Sequence, residues 1–102
     1  MLEESVMKSV TVVAFLSAPI GKETALFERL CELVPATRAE PGCLDFTAHR
    51  HAQIANRFVV YEKFQNRTAF DAHLEYAHTR SFVAWVQAND VALNFELWDE
   101  LA

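Results

Sequence analysis

The sequence predicts an α+β fold, the ferredoxin-like split βαβ arrangement, in which a helix layer lies on a four-stranded antiparallel sheet. Three observations predict it. The periodicities run strand, helix, strand, strand, helix, strand. The chain has 102 residues and neither repeats nor linkers, room for one domain spanning 1–102. Its composition, 52% hydrophobic and 12% aromatic, is richer than one small core requires, which calls for a second buried surface. One helix layer covers one sheet face only, so the other is expected to be buried against a second copy, giving a two-fold homodimer.

The elements follow in order. Val6 to Leu16 is β-branched and apolar on both faces, a strand needing cover on two sides. After Pro19-Ile20-Gly21, the residues Leu26, Phe27, Leu30, Leu33 and Val34 recur at helical spacing, predicting a helix from Lys22 to Arg38. Pro35 falls inside it and cannot donate to the carbonyl of Cys31, so a kink or an early end is expected there. Glu40-Pro41-Gly42 reads as a turn. Cys43 to Arg50 alternates Leu44, Phe46 and Ala48 against Asp45, Thr47 and His49 as a strand, and Arg57 to Phe64 completes a hairpin with it. Asn66 or Thr68 caps a helix carrying Phe70, His73, Leu74 and Ala77 on one stripe, and a further helical segment carries His78, Phe82, Trp85 and Val86. Val91 to Trp98 alternates again and closes the sheet.

A net charge of -5 without a Lys/Arg cluster argues against nucleic acid, since nothing replaces counterions along a phosphate backbone. No apolar run reaches the roughly 18 residues of a membrane span, and the acidic start MLEESVMK is unlike a signal peptide, so a cytoplasmic protein is expected. Cys31 and Cys43 lack metal-ligand spacing and read as reduced core thiols. With only Gly21 and Gly42 there is no glycine-rich phosphate loop, so no nucleotide cofactor is expected.

The chemistry concentrates between Asn56 and Trp85. Glu62 shares strand parity with Phe58, Val60 and Phe64, and a carboxylate among three hydrophobes must be paired, protonated or functional. Its neighbour Tyr61 points to the opposite face. His73 and His78 flank the helix break at Glu75-Tyr76-Ala77, and both should face the sheet, where apolar surroundings can bring an imidazole into use as a proton carrier. His49-Arg50-His51 has the spacing of a metal half-site, but no further ligand stands at a set distance; it reads as an exposed strand end, with His49 alone reaching the cleft, and no metal is expected.

In combination, Glu40-Pro41-Gly42-Cys43, Asn56 to Phe64 (NRFVVYEKF), Ala69 to Leu74 (AFDAHL) and Ala77-His78 resemble the antibiotic biosynthesis monooxygenase superfamily, over nearly the whole chain. The resemblance implies a dimeric α+β barrel. It implies less about reaction, because the superfamily includes quinol monooxygenases, polyketide-ring oxygenases, haem-degrading enzymes and an isomerase of a phosphorylated autoinducer. Haem-degrading relatives use Asn, Trp and an axial His where Ala14, His73 and about Val83 fall here, which disfavours haem. Phe64 stands where many relatives have Trp, and Ala77 where many have Pro.

The expected function is a cofactor-independent monooxygenase acting on an electron-rich phenol, quinol or polycyclic aromatic. A deprotonated substrate of that kind can itself give an electron to dioxygen, so the protein supplies a pocket, a base and shape. His73 or His78 is the expected base and Glu62 its orienting partner or a hydrogen-bond acceptor for the substrate; His49, Tyr61, Phe64, Phe82 and Trp85 are the expected substrate-binding residues. Two readings compete with it: an isomerase of a small oxygenated metabolite using the same His pair, and a non-enzymatic dimeric binding module.

Overall fold

The β-branched and aromatic runs form strands, and the runs with three-to-four spacing form helices. A computed structural model describes residues 8–102. In chain order the elements are β1 (Val10–Ser17), α1 (Glu23–Arg38), β2 (Cys43–Arg50), β3 (Arg57–Phe64), α2 (Arg67–Glu75), α3 (Ala77–Ala88) and β4 (Ala92–Trp98). The strands pair antiparallel in the order β2-β3-β1-β4. This is the expected ferredoxin-like sheet. The expected start of β1 at Val6 lies outside the described residues.

Val12, Ala14 and Leu16 of β1 and Phe58, Val60 and Phe64 of β3 point to the helix side, where Leu26, Leu30, Phe70, Phe82 and Val86 close over them. Along the outer edge the helix layer stops short of β4. Phe95 and Leu97, in register with Ala14 and Val12, therefore stay 46% and 44% exposed although they face the helix side. The opposite sheet face carries Phe15 across from Val59, Val13 across from Tyr61, and Thr11 across from Trp98.

Two local expectations change and one is decided. Helix α1 runs to the Arg38 that its apolar spacing predicts, and the early end offered at Pro35 does not occur. Pro35 and Cys31 both lie on its exposed side, so the carbonyl that Pro35 leaves unserved faces water. A register shift between Cys43 and Asp45 makes Leu44 an extra bulged residue, 58% exposed rather than in phase with Phe46. Cys31 is exposed and Cys43 half-buried, so neither is the fully buried core thiol expected; both are free.

Candidate active site

The site is set by where one turn meets two helices. After α1, the Glu40 amide donates to the Thr37 carbonyl (3.0 Å) and the Cys43 amide to the Glu40 carbonyl (3.1 Å), folding Glu40-Pro41-Gly42 back under α2. Gly42 lies so close to α2 that a β-carbon there would overlap the Cβ of Ala69. The absent side chain lets the turn seat, and it delivers the Glu40 carboxylate into the interior.

Asn66 caps α2 by accepting from the Ala69 amide at 2.8 Å, which fixes the helix phase that turns Phe70 and His73 inward. Tyr76 adopts an extended conformation, ends α2 and starts α3, and its ring stacks on His78 at 5.4 Å and 10°. The break returns the second imidazole toward the first. Both meet Glu40: its Oε2 lies 2.9 Å from Nδ1 of His73 and 2.6 Å from Nε2 of His78. An ionised carboxylate oxygen can only accept, so both imidazoles donate to it. That directs the Nδ1–H of His73 to Glu40 and turns its other ring nitrogen, Nε2, toward Oε1 of Glu62 at 4.0 Å. Thr79 Oγ1 is 3.4 Å from Nδ1 of His73.

Glu62 is buried on the helix side of β3, as its parity requires. Burial, and next the nearby charge of Glu40, push its carboxyl up to about 8, so it carries its proton at neutral pH. A carboxyl that burial keeps protonated and an imidazole held by a second carboxylate thus stand together, two titratable groups in different surroundings.

Glu62 and His73 both open onto a cavity of about 80 Å³ with an almost wholly apolar wall that includes Phe46, Phe70, Phe82 and Phe95. Of the expected site residues, Phe82 lines this cavity, and Phe64 supports it from behind, its ring 5.0 Å from that of His73. His78 does not line it; it contributes by holding Glu40. Trp85 lies outside it, with the Arg29 guanidinium over its ring at 5.3 Å. Tyr61 is on the far sheet face, since odd positions of β3 point away from the helices. His49 is exposed, in phase with Val59, and borders a separate groove between α1 and β2 that Phe27, Val34 and Phe58 line. His51 is a loop residue whose Nδ1 accepts from the amides of Gln53 and Ile54, each at 3.0 Å.

The candidate site residue that sequence reasoning left without a role is Glu40, which read only as part of a turn and of the family motif. The signal that could have found it was Gly42: a glycine demanded by close approach implies that something packs on the turn.

With this geometry the chain meets its relatives. A family model described as antibiotic biosynthesis monooxygenase matches residues 9–85, and the chain belongs to that family. Among solved structures it is similar to a protein from Pseudomonas aeruginosa (26% identity, TM-score 0.86, covering 93% of this chain and 96% of that one). A Mycobacterium tuberculosis protein is similar as well (26% identity, TM-score 0.80, covering 93% and 99%). A proposed antibiotic biosynthesis monooxygenase from Deinococcus radiodurans, at 22% identity, shares the fold (TM-score 0.84, covering 91% and 93%). No curated protein matches. Among the described residues no helix is long and apolar enough to cross a membrane.

Proposed function

We propose that the chain is a monooxygenase of an electron-rich phenol or quinol, with His73 as general base and Glu62 as the acid beside it. One observation carries this reading: His73, held at Nδ1 by the buried Glu40 carboxylate, and the buried Glu62 share the wall of an aromatic cavity. The family description supports the reaction class. Nε2 of His73 takes the hydroxyl proton, and the resulting phenolate gives an electron to dioxygen. Radical recombination forms a carbon–oxygen bond, and Glu62 donates as the oxygen–oxygen bond breaks. A quinol plus dioxygen then gives a hydroxyquinone plus water, a balance that needs no outside reductant. The base contributes about 10² to 10⁴ in rate.

Size narrows the substrate. An apolar cavity of about 150 Å³ holds benzene, so about 80 Å³ admits part of one ring until the half-exposed rim at Leu74 and Phe95 moves. This favours a monocyclic quinol over a polycyclic one. No Lys or Arg lines the cavity, and Arg57, Arg67 and Arg80 are exposed, which weighs against an isomerase of a phosphorylated metabolite. The second copy proposed for the open sheet face completes the assembly.

The test is dioxygen uptake by the purified chain with a panel of monocyclic and polycyclic quinols. We expect turnover above autoxidation for the smallest members and its loss in His73→Ala. A parent rate equal to background across the panel overturns the oxygenase reading and leaves isomerase or binding module.

A further inference from the structure

Glu40, His73 and His78 bring a carboxylate and two imidazoles to one point, and hydrogen bonding uses only part of what they offer. Their candidate ligand atoms all lie within 4.8 Å of one another. The second oxygen of Glu40, Oε1, is buried and has no hydrogen-bond partner. Among the described residues no Lys or Arg pairs with this carboxylate; its partners are the two histidines. A buried carboxylate with one oxygen left bare is a costly arrangement that a cation would relieve.

We propose that Glu40, His73 and His78 form a binding site for a divalent first-row cation of the zinc or ferrous-iron class. Two imidazoles and one carboxylate are the donor set these ions select. With metal–ligand bonds of about 2.1 Å, neighbouring donor atoms on one ion stand roughly 3.0–3.4 Å apart. The present Glu40–His spacings of 2.9 and 2.6 Å therefore need to open by less than about an ångström, and the two imidazole nitrogens, within 4.8 Å, to close by less than about 2 Å. His73 Nε2 lies 4.0 Å from Oε1 of Glu62, so a closure of about 1 Å would let the Nε2–H of a metal-bound imidazole donate to that oxygen. His78, at 27% side-chain exposure, gives the ion a way in that Glu40 and His73, nearly fully buried, do not.

Binding changes the chemistry of the site. For Nδ1 to hold a metal, His73 must shift its proton to Nε2, the atom assigned above as the base. Metal occupancy and the general-base role therefore exclude each other, and zinc should inhibit turnover. The site itself stands on the donor geometry and can be tested without turnover.

The experiment is a titration of the chelator-treated, full-length chain with Co²⁺, followed by visible absorption, with bound metal counted after dialysis. We expect ligand-field bands rising to an equimolar endpoint and bleached by Zn²⁺. His78→Ala and the milder His78→Gln, both checked for folding by circular dichroism, should weaken binding by more than about tenfold. The double variant Cys31→Ser, Cys43→Ser should leave the bands in place. Absence of an equimolar endpoint in the parent overturns the proposal. So do unchanged affinity in a folded His78 variant, or bands lost with the thiols.

Discussion

Glu62 couples the site to the stability of the fold. Its carboxyl is raised to about 8 in the folded chain from an ordinary 4.5, chiefly by burial and next by Glu40. Between those values the folded chain keeps a proton that the unfolded chain has released. Stability from this group is therefore fully present below the unfolded value, falls as pH rises through the window, and levels off above about 8, by on the order of a few kcal/mol. Glu62→Gln, which imitates the protonated acid, should flatten the difference between urea midpoints measured at pH 5 and pH 8.5; a variant profile parallel to the parent's would place the proton elsewhere. Glu40 acts through its partners. Glu40→Gln turns an amide N–H or a weaker acceptor toward two imidazole donors, and should lower stability by about 1–3 kcal/mol. It should also reduce dioxygen uptake by about 10² with little change in KM, read by melting and by initial rates. At this scale the sequence was informative where strand parity or helix spacing applied: Glu62, His73 and Phe82 were all legible. The face of Tyr61 was legible from the same parity; Trp85 and His49 were not separable from cavity-lining residues, because an aromatic or imidazole at an element position does not announce which neighbouring groove it joins. Glu40 lies 33 positions before His73 in a turn, where no periodicity operates.

Among the elements, the turn between α1 and β2 and the break at Tyr76 decide whether the three titratable groups meet. The turn is held by Gly42 against Ala69, and this gives a two-residue test. Gly42→Ala forces its new Cβ into that of Ala69 and should cost about 1–3 kcal/mol through overpacking. Because the turn carries Glu40, turnover should fall as well. Adding Ala69→Gly removes the obstructing atom; it costs about 1 kcal/mol of helix propensity yet should restore turnover toward the parent. If the double variant is no more active than Gly42→Ala alone, the turn is not what positions Glu40. The break at Tyr76 was visible in the sequence as two apolar stripes out of phase. The extent of α1 to Arg38 was legible from its apolar spacing, but whether Pro35 would end it early was not. Nor was the bulge at Leu44, which depends on cross-strand register rather than on β2 itself.

At the level of the whole molecule, the sheet has one covered face and one open one. Phe15, Val59, Tyr61 and Trp98 occupy the open face, with Phe15 41% and Trp98 55% exposed. The amino-acid composition carries the same surplus, since a single helix layer cannot cover so many aromatics. A patch that interleaves aromatic and β-branched side chains on a twisted sheet fits a copy of itself, because a two-fold axis lets each strand pack its own row against the same row. A stable interface buries roughly 800 Å² per partner, and Phe15 on β1 and Trp98 on β4 are the large apolar side chains that this face exposes. That makes Trp98 and Phe15 the residues on which assembly depends. Light scattering of the purified chain at micromolar concentration should give about twice 11.6 kDa. Phe15→Glu places a charge at the centre of the patch and should shift the mass toward one copy, whereas Ile20→Glu, at an exposed turn distant from the open face, should not. A parent that scatters as a single copy, or a Phe15→Glu variant that keeps the double mass, would show that the open face is not where two chains meet.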